Sequence, residues 1–179
     1  MDLHLLNTAN SEFVKDLKAL ASCTAGEKRN VSKSYTQGAV ALCVSDMTTK
    51  VGIDLEKKKK RSPEAMEHFV KKFSTFQIKD IPSKLEEQWF YKAWTGMESY
   101  FKLDGAGFGT PKDFILDLKR QSVWRKGREV ARLEYFDIGN FLICLCSSTM
   151  FSKQDVQVIY HGWENDDEEV CARFFGTRV

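Results

Sequence analysis

Apolar and polar positions recur with two different periods along this chain, and the switches between them mark its elements. Leu3, Leu5 and Leu6 start a strand, and Phe13, Val14, Leu17 and Leu20 form a helical stripe over residues 11 to 21. A polar break from Ser22 to Ser34 separates these from an apolar, strand-like run, Gly38 to Val44. Ser45-Asp46-Met47-Thr48-Thr49 reads as a turn into a second strand, Val51 to Glu56, so the two strands are expected to pair as a hairpin. Ser62-Pro63-Glu64 opens a helix in which Met66, Phe69, Val70 and Phe73 fall at i, i+3, i+4 and i+7. A longer helix opens at Pro82-Ser83-Lys84-Leu85-Glu86, where Ser83 and Glu86 have the spacing of a capping box. Leu85, Trp89, Ala93, Met97 and Phe101 form its apolar stripe, and the glycine-rich run from Gly105 to Pro111 ends it. Strand-like runs follow at 113–118, 129–136, 140–147 and 156–160, an order that predicts an α+β fold.

Two of these elements carry candidate chemistry. In the second strand Val51, Ile53 and Leu55 alternate with Gly52, Asp54 and Glu56, so both acids share the face opposite the core. Neighbours on one strand face lie roughly 6 to 7 Å apart, so one hard cation fits between their oxygens, directly or through water. Mg²⁺ takes only one or two carboxylates and relies on waters and substrate phosphates for the rest. An ordinary amphipathic strand with a wet acidic face has the same pattern, but glycine inside a strand often marks close approach by a ligand or another backbone. In the longer helix Glu98 and Lys102 stand four residues apart on one face, among Phe90, Tyr91, Trp94, Tyr100 and Phe101. So many aromatics leave little of this helix free to be surface.

Composition narrows the classes without choosing among them. The 179 residues are 42% hydrophobic and 29% charged, ordinary for a globular chain with a substantial core. No apolar run approaches the 18 or so residues of a membrane span, and Met1-Asp2-Leu3-His4 lacks the basic start of a secretory signal, so a cytoplasmic protein is expected. The five cysteines form no Cys-x-x-Cys pair, and buried reduced thiols are expected. His4, His68 and His161 lie in no metal-ligand spacing. Lys57-Lys58-Lys59-Lys60-Arg61 could be a nucleic-acid or membrane patch, or a solvated loop. With 27 basic against 25 acidic residues the chain lacks the basicity of a nucleic-acid binder.

Gly52-Ile53-Asp54-Leu55-Glu56, then Trp94 through Lys102 with its glycine-rich turn, resemble the motifs of the 4′-phosphopantetheinyl transferase superfamily. That family has a glycine-hydrophobic-Asp-hydrophobic-Glu strand and, further along, an aromatic, a Lys-Glu-Ser/Ala triplet and a lysine four after the glutamate. A third motif, Asn-hydrophobic-Ser-His-Ser, is similar to Asn30-Val31-Ser32-Lys33-Ser34, and Asp137 to Cys146 resembles the family's closing core strand. The likeness covers about residues 29 to 147.

The resemblance implies a transferase-like fold of antiparallel sheets packed with helices. It divides the chain into a shortened N-terminal half over 1–50, a core half over 51–160 and an acidic tail over 161–179. It implies transfer of the 4′-phosphopantetheine arm of coenzyme A to a serine of an acyl or peptidyl carrier protein, with 3′,5′-adenosine bisphosphate leaving. Asp54, Glu56 and Glu98 would hold Mg²⁺ on the pyrophosphate, and Glu98 or a metal-bound water would take the serine proton. Lys102 would balance charge on the phosphates, and Lys28, Ser32 and Lys33 would contact the nucleotide end. The basic run would steer an acidic carrier to the site. Neither nucleic acid nor membrane is an implied partner. Small members of the family are trimers and large ones monomers, and this length leaves both open. Two departures stand out: Met97 occupies a family lysine position, Lys33 a family histidine position. With the short region before Asn30, these support a second reading, a member that binds carrier or coenzyme A without transfer. A generic Mg²⁺-dependent phosphate enzyme is the third.

Overall fold

The computed structural model describes residues 1–7, 29–73, 78–105 and 113–161. The expected stripe at 11–21, Lys28, the glycine-rich turn and the acidic tail fall wholly or largely outside these residues. Nine strands and two helices are described: β1 (Asp2–Asn7), β2 (Asn30–Thr36), β3 (Ala39–Ser45), β4 (Val51–Lys57), α1 (Pro63–Phe73), α2 (Glu87–Asp104), β5 (Ile115–Asp117), β6 (Ser122–Arg125), β7 (Arg128–Ile138), β8 (Phe141–Ser147) and β9 (Gln157–His161). They form two sheets, ordered β2-β3-β1-β9 and β4-β8-β7-β6-β5. All neighbours are antiparallel except β1 and β9. This is the α+β class expected from the order of elements.

The second sheet is covered on both faces, and the side chains of β8 sort by parity between two cores. Phe141, Ile143 and Leu145 join Val51, Ile53 and Leu55 of β4 against Leu3, Leu5, Ala41 and Cys43 of the first sheet. Leu142, Cys144 and Cys146 face the other way, onto Phe90, Ala93, Met97 and Phe101 of α2. A strand buried on both faces reads as a continuous apolar run, as Phe141-Leu142-Ile143-Cys144-Leu145-Cys146 does. The layers therefore run sheet, sheet, helices, with β4 between the first sheet and α2. Cys43, Cys144 and Cys146 are buried free thiols, and burial pushes Cys43 and Cys144 up to about 12, which keeps both protonated.

Three expectations are corrected. β3 and β4 do not form a hairpin: β3 spends its two edges on β2 and β1, so β4 must find its partner, β8, in the other sheet. Asp46 Oδ1 accepts hydrogen bonds from the backbone N–H groups of Thr48 and Thr49 and from Thr48 Oγ1, building the turn that makes the crossing. The capping box at Ser83 does not form; α2 begins at Glu87, with extended Glu86 as its N-cap and no side-chain cap, so Leu85 precedes the helix. The polar break was placed too long, because Asn30–Thr36 is a strand. α1 starts at Pro63 as expected, with Ser62 Oγ accepting from Ala65 N–H, and α2 ends at left-handed Gly105. No described helix is long and apolar enough to cross a membrane.

Candidate functional site

The site is assembled where β2, β4 and α2 meet, and polar residues of β2 set that junction. Asn30 Nδ2 donates to the carbonyls of Asp46, Met47 and Thr49, which pins the crossing loop to the start of β2. Two residues on, Ser32 Oγ accepts a hydrogen bond from Ile53 N–H at 3.0 Å, joining the two sheets where no backbone ladder runs. Another two residues on, Ser34 Oγ lies 2.9 Å from Asp54 Oδ1. Lys33 and Tyr35, of opposite parity, are exposed on the other face, Tyr35 at 80%.

From the other side, α2 is pressed onto β4 at Gly52. A Cβ on Gly52 would lie 2.0 Å from the Ser99 carbonyl oxygen and 2.5 Å from Leu103 N, so only glycine allows the approach. The close neighbour expected of a strand glycine is here the helix backbone itself. That contact sets the height of Glu98 and Lys102 over the acidic face of β4. Lys102 Nζ reaches Asp54 Oδ1 at 2.7 Å and Ser34 Oγ at 2.9 Å. The lysine thus takes its partner from β4, across 48 residues of chain.

Asp54 is 4% exposed, and its second oxygen, Oδ2, is buried with no hydrogen-bond partner among the described residues. Glu56 and Glu98, both about half-buried, share its field. Burial first, and the Asp54 charge second, hold each above the usual carboxylate range. Lys102 opposes the rise in both, Arg61 and a hydrogen bond from the Trp94 side chain oppose it in Glu56, and Glu56 adds to it in Glu98. The family aromatic thus orients one of the two strand acids. Among the described residues, no three acids, histidines or cysteines already stand close enough to hold a metal ion. The three carboxylates are neighbours in one field rather than a finished cage. Their donor set still fits a divalent cation: hard oxygens, one of them buried and unpaired, with more negative charge than one lysine neutralises. Mg²⁺ commonly completes its shell from water and substrate.

A pH dependence follows with a definite sign. A carboxylate raised in the folded state keeps its proton where the unfolded chain has lost it, so its relative contribution is fully present below the unfolded value and is lost as pH rises through the folded one. With the ordinary glutamate value at 4.5, metal-free Glu98→Gln is expected to melt above the parent at neutral pH, with the gain vanishing as pH falls below about 4.5. Thermal midpoints across pH 4 to 8 in chelator check this, and a variant melting below the parent at neutral pH would contradict it.

Met97 is fully buried in the core between α2 and the second sheet. At this position the helix faces packing rather than phosphate, and a methionine fills it. The basic run is neither a free loop nor uniformly exposed. Lys58 pairs with Asp137, and Tyr91 Oη bridges Lys59 by accepting from its N–H and donating to its carbonyl. Arg61 donates from Nε to the same hydroxyl and lies 5.6 Å from the Phe90 and Tyr91 ring centroids. Lys59 and Lys60 remain exposed, Lys59 Nζ donating to Gln37 Oε1.

Asn30 and Ser34 hold the junction together, although the sequence alone assigns neither a role. The signal available was the polar alternation Asn30, Ser32, Ser34, whose partners lie across a sheet boundary that one-dimensional pattern does not reveal.

No curated protein gives a significant match to the chain. The family model of the 4′-phosphopantetheinyl transferase superfamily matches residues 50–159, from the residue before β4 to within β9. The matched segment is more than half the chain and contains the acidic strand, α2 and the whole second sheet, although it leaves β2 outside. On that match, with Gly52, Asp54, Glu56, Glu98 and Lys102 gathered at one junction, the chain belongs to the 4′-phosphopantetheinyl transferase superfamily.

Proposed function

We propose that the chain moves the 4′-phosphopantetheine arm of coenzyme A onto a serine hydroxyl of an acyl or peptidyl carrier protein in the cytoplasm, releasing 3′,5′-adenosine bisphosphate. Phosphopantetheinyl transfer is the chemistry of the family. The observation that carries it is Asp54, whose Oδ1 is committed to Lys102 and Ser34 while Oδ2 is buried and unpaired among the described residues, in the field of Glu56 and Glu98.

In this reading Asp54, Glu56 and Glu98 hold Mg²⁺, which when bound neutralises charge on the pyrophosphate. The serine oxygen forms a bond to the β-phosphorus, and the bond from that phosphorus to the bridging oxygen breaks, so adenosine bisphosphate leaves with the pair. Glu98, raised by burial, takes the serine proton on its carboxylate. Lys102 turns part of its charge toward the phosphates. Ser32 still has a hydroxyl proton to give and is proposed to meet the nucleotide end, whereas Lys33, exposed on the opposite face of β2, enters that set by the family resemblance and not by its placement. Lys28 belongs to that set through the family resemblance alone. The exposed Lys59 and Lys60 attract the acidic carrier.

A second reading, binding of coenzyme A or carrier without transfer, rests on the family lysine that is replaced at position 97, although the methionine there packs in the core. Incubation with coenzyme A, Mg²⁺ and apo-carrier proteins of the same genome, followed by intact mass, separates the two. The transferase reading expects the mass of one arm on at least one carrier. Retention of coenzyme A with no gain on any carrier sinks it and leaves the binding member.

A further inference from the structure

Ser34 lies outside the segment that matches the family, yet its hydroxyl joins all three elements of the site. It is 5% exposed, 2.9 Å from Asp54 Oδ1 and 2.9 Å from Lys102 Nζ. An ammonium has only donors, so Ser34 accepts from Lys102, and its one proton is directed to Oδ1. Oδ1 therefore receives two hydrogen bonds while buried Oδ2 receives none among the described residues. The carboxylate torsion of aspartate is broad when left alone, and the lysine that also holds it sits on a flexible stem with a side chain 31% exposed. Ser34 has one rotatable bond and a strand backbone laddered to β3, so it is the rigid partner of the two.

We infer that Ser34 is a positioning residue for the divalent cation: by fixing Asp54 Oδ1 with Lys102, it aims Oδ2 at the place where the metal is taken up. The inference rests on the metal role proposed for Asp54 above. Partners that orient a ligand typically contribute about 10- to 100-fold in metal affinity, and the lower end suits a neutral hydroxyl. If the hydroxyl were only a clasp between β2 and β4, its loss would change melting and leave cation affinity alone.

The test uses Mn²⁺ alone, titrated by calorimetry into the metal-free full chain without coenzyme A. The parent is expected to bind and Asp54→Asn to lose that binding. Ser34→Ala is expected to weaken it about tenfold, and Ser34→Thr, which keeps the hydroxyl, to stay within about threefold of the parent. Thermal melting run alongside shows that each variant is folded. Should Ser34→Ala fail to fold, Ser34→Cys, of similar shape but a weak donor, takes its place with the same expectation. Mn²⁺ binding unchanged in the variant lacking the hydroxyl, or equally weak in Ser34→Thr, overturns the role of Ser34 while leaving the Asp54 site standing. A parent that binds no Mn²⁺ overturns the metal site and this inference together.

Discussion

Gly52→Ala is expected to lower the thermal midpoint by about 10 °C and to reduce activity in the fraction that still folds. The added Cβ would meet the Ser99 carbonyl oxygen at 2.0 Å, Leu103 N at 2.5 Å and Leu103 Cβ at 2.9 Å. Two of these are helix backbone atoms, so no rotamer change relieves the contact, and α2 must lift from β4 by on the order of 1 Å. That helix has no slack, because Ala93, Thr95, Met97 and Ser99 are all fully buried. Overpacking a core usually costs about 1 to 3 kcal/mol, and a clash between two rigid backbones belongs at or above the top of that range. For a chain of this size each kcal/mol moves the midpoint by about 2 to 4 °C. The same displacement carries Glu98 and Lys102 away from Asp54, so the site is damaged along with the fold. Gly139→Ala is the control: it meets nothing within 4 Å and carries only the strain of φ +53, about 1 kcal/mol. A Gly52→Ala midpoint no lower than that of Gly139→Ala would contradict the packing described for α2 on β4.

What was legible in the chain is what depends on one element at a time. The alternation in β4 separated Val51, Ile53 and Leu55 from Asp54, and the four-residue spacing in α2 put Glu98 and Lys102 on one face; both readings survive in three dimensions. What was not legible depends on which elements meet. β2 carries an inverted pattern, with Val31 39% and Tyr35 80% exposed while Ser32 and Ser34 are buried. Such a strand looks like a polar break because its buried face is satisfied by hydrogen bonds to β4 instead of by apolar packing. The hairpin expected between β3 and β4 failed for a related reason: short turns usually return a strand to its neighbour, but the Asp46 turn hands the chain to another sheet. Short β6, Ser122–Arg125, has only Val123 and Trp124 as apolar residues, too few for a period to show. Lys102 could be placed on its helix but not paired, since its partner is chosen by the Gly52 contact.

Asp54→Asn is expected to remove transfer activity by about a thousandfold while leaving the fold largely intact. The substitution keeps the size of a side chain that is 4% exposed but removes its charge. Lys102 then loses its ion-pair partner; with its side chain 31% exposed it turns toward water, so the stability cost is about 1 kcal/mol after screening. The chemical loss is larger, because Asp54 is the most buried of the three acids and its free Oδ2 is the atom best placed to meet a cation. Removing one preorganised electrostatic element typically costs about 100- to 1000-fold, and loss of a bound metal with it belongs at the upper end. That is roughly 4 kcal/mol of transition-state stabilisation.

The Asp54, Glu56 and Glu98 junction is proposed as the place where the phosphopantetheine arm changes hands. This role is tested most directly by running the parent and Asp54→Asn side by side, matched for thermal midpoint, with coenzyme A, Mg²⁺ and a carrier that the parent modifies. The mass of the carrier and the released 3′,5′-adenosine bisphosphate are followed together. Equal molar amounts of arm gained and bisphosphate released are expected with the parent, dependent on Mg²⁺, and neither with Asp54→Asn. Transfer by folded Asp54→Asn at the parent's rate would contradict it.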